Sequence, residues 1–294
     1  MPAKVALVKC PDYHQHNLHQ AITKLLDLLG GWEQFVQPNQ TVLIKPNFIA
    51  PRTPDVPAQT DGRLVAEIAR QLKQIGAQVL IGDSTAWGSL KNNAALAGLD
   101  QPTLDALGVR LVNFNQPCRT TIQTPAGPRK VSIDRTVLQA DKIINLPKLK
   151  AHQQLMLSGA LKNAFGAIVG KRKAYWHFRY GQPQIFTDMI VGIYQKVRPV
   201  LNIIDAVVAM EGQGPIRGRP RKLGLLLAST DAAAVDRAAC ELLNVAPSQV
   251  PMLAAAERAA VGVTELADIE VLGQDLQAVC VNRSEEHTSE LQSR

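Results

Sequence analysis

The side chains with the greatest capacity for chemistry lie between residues 145 and 166, where the sequence reads NLPKLKAHQQLMLSGALKNAFG. Lys148, Lys150 and His152 alternate within this segment, and alternate residues of an extended strand point to the same side. Lysines on that side can bind an anion, and a histidine can act as acid, base or metal ligand. We therefore predict that this segment faces a small anionic ligand.

The second half of the same segment predicts the start of a helix. Ser158 is the expected N-cap, and the free backbone N–H groups of a helix start attract anions. Lys162 and Asn163 would add a positive charge and hydrogen-bonding groups at that point. His152, Lys150 and Lys162 are accordingly the predicted catalytic residues.

The elements that position these residues follow from the pattern of the whole chain. Apolar, β-branched runs predict strands at 5–8, 41–45, 78–82, 110–113, 142–145, 200–205 and 223–229. Helical periodicity predicts helices at 18–29, 61–75, 185–197 and 231–243. This alternation is typical of an α/β fold with a mostly parallel, Rossmann-like sheet flanked by helices. Residues 120–133, centred on PAGP, predict a β-hairpin insertion.

Polar residues follow the predicted strands at the point where each one ends. In open parallel sheets, ligands bind beyond these carboxyl ends. Five such ends carry KPN (45–47), GDST (82–85), NLPK (145–148), Asp205 and STD (229–231). The loop EGQGP (211–215) follows the fourth, and backbone N–H groups in glycine-rich loops can form anion-binding nests. We therefore expect a site lined by cations and carboxylates.

This expectation assigns roles to individual residues. The candidate ligands of a divalent cation are Asp83, Asp205 and Glu211, because carboxylate oxygens suit such ions. Substrate or anion binding is expected of ten further residues: Lys45, Asn47, Thr60, Ser84, Asn145, Lys148, Asn163, His177, Gly212 and Gly214.

Each motif also has a purely structural interpretation. KPN can be an edge strand entering a turn, and the glycines of EGQGP can serve sharp turns alone. Asp83 and Asp231 are each suited to cap a following helix. For Asp236, a structural salt bridge is the favoured interpretation.

A basic and aromatic cluster, KRKAYWHFRY, occupies residues 171–180. Phosphate contacts and base stacking would suit nucleic acid. Nucleic-acid binding is nevertheless disfavoured, because the cluster stands alone and no nucleic-acid-binding motif accompanies it. A solvated loop or a lid over the site is favoured, with His177 reaching inward.

Composition limits the class of protein. The chain has 294 residues, 46% hydrophobic and 19% charged, with a net charge of +7, so it can bury a large core and suits anionic ligands. Its four cysteines, at 10, 118, 240 and 280, form no Cys-x-x-Cys pair and hence no visible zinc or iron–sulfur ligand set. Scattered thiols fit a cytoplasmic location.

The two ends need separate treatment. The N-terminus lacks the apolar region of a signal peptide, and the apolar runs are too short to span a membrane. Residues 283–294, RSEEHTSELQSR, resemble the in-frame translation of a common sequencing-adapter oligonucleotide. We expect one α/β domain over 1–282, with insertions near 115–135 and 170–185, followed by a non-native tail. A module beyond Asn282 in the natural protein stays an open alternative.

Several of these motifs together resemble the family called Domain of Unknown Function 362. The similar pieces are KPN (45–47), PAQT (57–60), GDS (82–84), NLPKLKAH (145–152), GALKNAFG (159–166), Asp205 with MEGQGP (210–215), and 231–236. The resemblance implies a prokaryotic, cytoplasmic protein that is often linked to ferredoxin-like iron–sulfur modules. This chain departs from that association because it carries no cluster-binding cysteine set.

Three functions compete at this point. The first is binding of a small anionic substrate or cofactor at the sheet edge, with acid/base chemistry and a candidate divalent metal; the reaction and the enzymatic status are left open. The second is a non-catalytic accessory or electron-transfer partner of an iron–sulfur protein, such as a ferredoxin-like protein. The third, least favoured, is nucleic-acid binding. The Lys/His run also permits a nickel-bearing nicotinate cofactor of the kind that certain racemases tether through Lys and His, but nothing selects it.

Overall fold

A ten-stranded sheet organises the residues that this computed structural model describes, 2–169 and 183–281. Its strands are β1 (Ala3–Lys9), β2 (Thr41–Pro46), β3 (Gln78–Asp83), β4 (Arg110–Asn113), β7 (Lys142–Leu146), β8 (Lys148–His152), β9 (Met156–Ser158), β10 (Leu201–Glu211), β11 (Arg219–Ser229) and β12 (Ile269–Gly273). The main order is β12-β1-β11-β10-β7-β2-β3-β4, and β8 pairs with both β10 and β9. A separate hairpin, β5 (Pro117–Ile122) with β6 (Arg129–Asp134), confirms the predicted insertion.

Most neighbouring strands are parallel. The run from β10 through β7, β2 and β3 to β4 is parallel throughout, as is the β1–β12 pair. The exceptions are β11, which is antiparallel to both β1 and β10, and the antiparallel pair of β8 with β9. The predicted α/β fold with a mostly parallel, Rossmann-like sheet is therefore confirmed.

Helices cover both faces of the sheet. They are α1 (Gln15–Asp27), α2 (Gly62–Gln74), α3 (Leu90–Leu96), α4 (Gln101–Leu107), α5 (Arg135–Gln139), α6 (Ala160–Asn163), α7 (Pro183–Val197), α8 (Ala232–Leu242), α9 (Pro251–Arg258) and α10 (Leu276–Val279). Short 3-10 turns occur at Trp32–Gln34, Ala164–Ala167, Pro247–Gln249 and Leu266–Asp268. None of the helices in the described part of the chain has the length and apolar character that crossing a membrane requires.

The core is divided by the sheet, because successive strand residues point to opposite faces. Leu43 of β2 packs in the cluster that contains α7, α8 and α9, whereas Ile44 packs in the cluster that contains α1 and α2. Both side chains are fully buried. Burial on both faces explains why these strands read as continuous apolar runs.

Two strands are longer than the sequence predicts. The predicted strand 200–205 continues to Glu211 as β10, and the predicted strand 223–229 begins at Arg219 as β11. The two extensions pair with each other, from Val208 opposite Lys222 to Glu211 opposite Arg219. Asp205 thus lies within a strand rather than at its end, because antiparallel pairing carries β10 onward.

The predicted helix start after Ser158 is also different in the structure. Ser158 belongs to β9, and the N-cap position is Gly159, with no side-chain cap. The helix is a single turn, α6, continued by a 3-10 turn. By contrast, Asp231 caps α8 by accepting hydrogen bonds from the backbone N–H groups of Ala233 and Ala234, as the structural interpretation anticipated.

Candidate functional site

Four lysines gather near the carboxyl ends of the parallel strands, and the first of them is neutralised. Lys45, at the end of β2, forms an ion pair with Asp83 at the end of β3, with 2.9 Å between Nζ and Oδ1. Asp83 also accepts hydrogen bonds from the backbone N–H groups of Phe48 and Ser84, both at 2.8 Å. The pair is packed tightly, since a Cβ on Gly166 would overlap the Lys45 amine.

The second lysine, Lys148, begins β8 and is also neutralised. Its Nζ lies 2.9 Å from Oδ2 of Asp205 and 2.8 Å from the hydroxyl of Tyr13. The Tyr13 hydroxyl in turn donates to Oδ1 of Asp205 at 2.7 Å. Burial and the Asp205 charge hold the pKa of Tyr13 well above its ordinary value, so the phenol stays a donor.

The third lysine, Lys150, is only 1% exposed and contacts neutral acceptors. Its Nζ donates to Oδ1 of Asn47 at 2.7 Å and to the carbonyl of Ala58 at 2.6 Å. Burial holds the pKa of Lys150 well below its ordinary value, and the charge of Lys162 lowers it further, whereas the charge of Asp83 acts in the opposite direction without a direct contact. Two neutral dipoles thus take the place that a carboxylate holds beside Lys45 and Lys148.

The fourth lysine, Lys162, lies in α6 and is partly exposed. Its ammonium has no hydrogen-bond or ion-pair partner among residues 2–169 and 183–281. Burial, with a contribution from the charge of Lys45, lowers the pKa of Lys162 to about 8. An amine in this state gains or loses a proton close to neutral pH.

A directional chain of side-chain amides leads away from Lys150. Asn47 donates to Asn163 at 3.0 Å, Asn163 to Asn145 at 2.9 Å, and Asn145 to Asn202 at 2.9 Å. Asn202 ends the chain by donating to the Tyr194 hydroxyl at 3.1 Å and to the Ser229 carbonyl at 3.2 Å. Because each amide donates in the same direction, the negative end of the chain is Oδ1 of Asn47, which meets the Lys150 ammonium.

The single turn α6 is anchored by Asp236 of α8. Its carboxylate accepts the backbone N–H groups of Ala160 at 2.6 Å and Leu161 at 3.0 Å. A Cβ on Gly159 would overlap this carboxylate, so glycine is required for the close approach. Burial raises the pKa of Asp236 to about 7, and the two backbone donors act in the opposite direction.

The hydrogen bonds of Asp236 show that two predictions were wrong. The backbone N–H groups of Ala160 and Leu161 are not free for a ligand, because Asp236 occupies them. Asp236 itself makes backbone hydrogen bonds rather than the expected salt bridge. The sequence held one usable signal, namely a carboxylate among the apolar residues of a helix face that is otherwise buried.

The predicted acid or base, His152, ends β8 and is largely buried. Its Nδ1 lies 3.3 Å from the backbone N–H groups of both Gln154 and Leu155, which ties that nitrogen to its own turn. The glycine-rich loop comes close to it, because Gly214 packs against the carbonyl of Ala151. Gly212 adopts a φ of 75°, which favours glycine.

The three predicted metal ligands do not come together. Asp83 pairs with Lys45, Asp205 with Lys148, and Glu211 with Arg221 at 3.0 Å. Within the described ranges, no group of three His, Cys, Asp or Glu side chains is placed to hold a metal ion. The geometry therefore gives the predicted divalent cation no ligand set in this part of the chain.

The remaining predicted residues fall into two groups. Thr60 and Ser84 lie beside the site: the Thr60 hydroxyl donates to the Leu146 carbonyl at 2.7 Å and accepts from the backbone N–H of Asn47 at 2.9 Å. His177, with the cluster 171–180 and most of the predicted insertion at 170–185, lies outside the described residues, as does the tail. The predicted lid accordingly stays a prediction.

The fifth predicted strand end contributes differently from the others. Because β11 is antiparallel, Ser229 lies opposite Asn202 at the start of β10. Two residues that the sequence did not flag, Tyr13 and Asn202, complete the networks around Lys148 and Asn145. Tyr13 carries no local signal, because its partner Asp205 lies 192 residues away.

Fold and site together define an α/β protein with a buried, lysine-rich cluster at the carboxyl edge of a largely parallel sheet. Within that class, the chain belongs to the family described as Domain of unknown function (DUF362), whose model matches residues 42–241. The resemblance inferred from the motifs is thereby confirmed.

The known proteins that are similar to this chain include a cyanobacterial relative and a solved structure. A thylakoid-associated protein from Synechocystis sp. is 36% identical over 259 residues, which is 88% of this chain and 80% of that protein. The lactate racemase apoprotein from Thermoanaerobacterium thermosaccharolyticum aligns in structure with a TM-score of 0.48 and 14% identity, over 84% of this chain. The alignment spans 57% of the length of the racemase.

Proposed function

We propose that this protein binds a small anionic ligand at the carboxyl edge of its sheet, between Lys150 and Lys162, and that Lys162 exchanges a proton during the ligand's chemistry. The observation that carries the proposal is the contrast in counter-charges. Lys45 and Lys148 each have a carboxylate within hydrogen-bond distance, whereas Lys150 has only neutral acceptors and Lys162 has no partner among the described residues.

Electrostatics explains why this contrast favours an anion. An ammonium that is taken out of water without a counter-charge is costly, and two such groups also repel each other. Lys162 ranks after burial as the largest influence that lowers the pKa of Lys150, so the two charges interact directly. A bound carboxylate or phosphate would relieve both penalties.

Proton transfer is the second part of the proposal. A general acid or base works best when its pKa lies near the working pH. The pKa of Lys162, at about 8, meets this condition, and its amine is not held by a hydrogen bond in the described part of the protein. His152, at the end of the same strand as Lys150, is a second candidate for acid/base chemistry.

Anion titration against thermal unfolding tests the proposal. Inorganic phosphate and malonate should raise the melting temperature of the wild type. Lys162→Met and Lys150→Met should each lower the anion affinity that is derived from this titration by about tenfold or more, which corresponds to about 1.4 kcal/mol. Lys73→Met removes an exposed lysine near the end of α2 and provides the matched control. Equal stabilisation of all four proteins by both anions would contradict the proposal.

The other predicted roles stay predictions. Nothing in the described residues addresses a ferredoxin-like partner, a role in electron transfer or binding of nucleic acid. The cytoplasmic location is likewise a prediction, and the thylakoid association belongs to the Synechocystis relative by its name.

A further inference from the structure

We infer that Lys162 is a nucleophile that forms an imine with the carbonyl carbon of an anionic oxo compound, such as a 2-oxo acid. This inference rests on the proposed function, because the carboxylate of the compound would occupy the anion site beside Lys150. It adds the chemical class of the ligand, a carbonyl next to an acidic group, and the bond that the protein forms with it.

The geometry separates Lys162 from the other lysines of the cluster. The amines of Lys45, Lys148 and Lys150 each donate at least two hydrogen bonds, so their positions and protons are committed. The Lys162 amine makes none with the described residues, and it is partly exposed. It is therefore available to a ligand that enters the site.

Hydrogen bonds fix the residues on either side of Lys162 in α6, whereas none to the described residues fixes its amine. Asp236 fixes the first residues of α6 through Ala160 and Leu161. The next residue, Asn163, is held by hydrogen bonds to Asn145 at 2.9 Å and to the carbonyl of Lys45 at 3.2 Å. A rigid turn that carries one unattached amine supports a reactive group rather than a packing residue.

The charge state also suits a nucleophile, since only the neutral amine has a free lone pair. A lysine beside other cations and out of water loses its proton more easily, and this is a recognised way to activate it. With a pKa of about 8, Lys162 has a far larger neutral fraction near neutral pH than an ordinary lysine. The amine of Lys150, whose pKa is also lowered, is held by Asn47 and Ala58 and remains in place to bind the carboxylate.

The chemical step balances without an oxidant or a reductant. The Nζ lone pair forms the new bond to the carbonyl carbon, and the C=O π electrons move to oxygen. A proton passes from nitrogen to oxygen and gives a carbinolamine. Loss of the hydroxyl group with one proton releases water and leaves the C=N bond. Hydrolysis by water reverses these steps.

Borohydride trapping tests the inference, because reduction converts the imine into a stable secondary amine. The folded protein is mixed with pyruvate and borohydride, and the adduct is located by peptide mass spectrometry. We expect one main adduct, on Lys162, in the wild type and in Lys73→Met. Lys162→Met should lose it, and acetone, which lacks the carboxylate, should label Lys162 about tenfold less.

The pH profile gives an independent readout. The rate of labelling at Lys162 should rise with an apparent pKa of about 8, whereas labelling of exposed lysines should rise only at more alkaline pH. A profile at Lys162 that matches the exposed lysines would overturn the inference. Adducts spread evenly over surface lysines would also overturn it, as would a protein without any adduct.

Phosphate binding distinguishes this inference from the proposed function. If phosphate stabilises the wild type but not Lys162→Met, and pyruvate is not trapped, the imine is excluded while the anion site stands. If phosphate has no effect and pyruvate is not trapped, both are excluded. If pyruvate is trapped at Lys162 and phosphate competes with it, both are supported.

Discussion

Two pairs of lysines meet at the same edge of the sheet, and they are treated in opposite ways. Lys45 and Lys148 are held in buried ion pairs at 2.9 Å by Asp83 and Asp205. Lys150 and Lys162 have no carboxylate partner among the described residues. The difference teaches that the counter-charge, rather than the residue type or its strand position, separates a structural lysine from one that is available to a ligand.

The largest effect should come from removing a carboxylate of the first pair. Asp205→Ala leaves Lys148 buried without a counter-charge and Tyr13 without its acceptor. Breaking a buried ion pair in this way typically costs about 3–5 kcal/mol. We therefore expect the free energy of unfolding, measured by urea denaturation, to fall by that amount.

The double variant Asp205→Ala with Lys148→Met serves as the control, because it removes both charges together. It should recover part of the lost stability. A loss below about 1 kcal/mol in Asp205→Ala, the range of exposed pairs, would show that the buried pair is not structural and would remove the contrast between the two pairs.

Removing a charge from the second pair should stabilise the protein rather than destabilise it. The pKa of Lys162 is lowered from 10.5 to about 8, so between these values the unfolded state binds more protons than the folded state. The free energy of unfolding of the wild type should therefore rise with pH across this window. Below about pH 8 the folded protein carries the cost of the charged amine, and Lys162→Met removes it.

We accordingly expect Lys162→Met to stabilise the protein by about 1–3 kcal/mol at neutral pH, because solvent screens part of the cost at the partly exposed amine. The gain should vanish as the pH approaches the pKa of an ordinary lysine. Urea denaturation at several pH values measures this, and Lys73→Met controls for the loss of a lysine. A destabilised Lys162→Met at neutral pH would show that the amine has a stabilising partner.

The sequence predicted the fold better than it predicted this contrast. The alternation of apolar strands with helices identified the parallel sheet, and the hairpin insertion was found from PAGP. The direction of β11 was not predictable, because a strand buried on both faces reads as an apolar run whether it is parallel or antiparallel. The extension of β10 depends on pairing with β11 and likewise has no local signal.

The same limit applies to the site. The alternation of Lys148, Lys150 and His152 predicted an extended segment, and these residues do lie on strand β8. It did not predict which lysine would be neutralised, because Tyr13 and Asp205 come from distant parts of the chain. Spacing identifies the groups that can do chemistry. Their charge states and their remaining hydrogen-bonding capacity depend on partners from distant parts of the chain.

A carboxylate placed beside Lys150 should make it a structural lysine like Lys45 and Lys148. Asn47→Asp replaces the amide oxygen that lies 2.7 Å from Nζ with a carboxylate oxygen of the same position. The site would then lose one unit of positive charge, and phosphate affinity should fall by about tenfold, or 1.4 kcal/mol. Calorimetric titration with phosphate measures this change.

Asn47→Ser is the matched control for that experiment, since it shortens the side chain without adding a charge. Its phosphate affinity should stay closer to that of the wild type than the affinity of Asn47→Asp. If both variants bind phosphate equally well, the charge at Lys150 does not attract the ligand, and Lys162 alone carries the anion site.

A partly buried ion pair within one helix provides the lower limit of the comparison. Glu241 and Arg237 lie one turn apart on α8 with 3.1 Å between them, and the Glu241 side chain is 29% exposed. Ion pairs four residues apart on a helix contribute about 0.3–0.5 kcal/mol, so Glu241→Gln should cost well under 1 kcal/mol in urea denaturation. Hydrogen bonds from Gln277 and Arg237 lower the pKa of Glu241, so its contribution is present above its unfolded pKa and is lost as the pH falls. The variant and the wild type should therefore converge in stability in acid. A cost as large as that of Asp205→Ala would mean that burial does not set the strength of ion pairs in this protein.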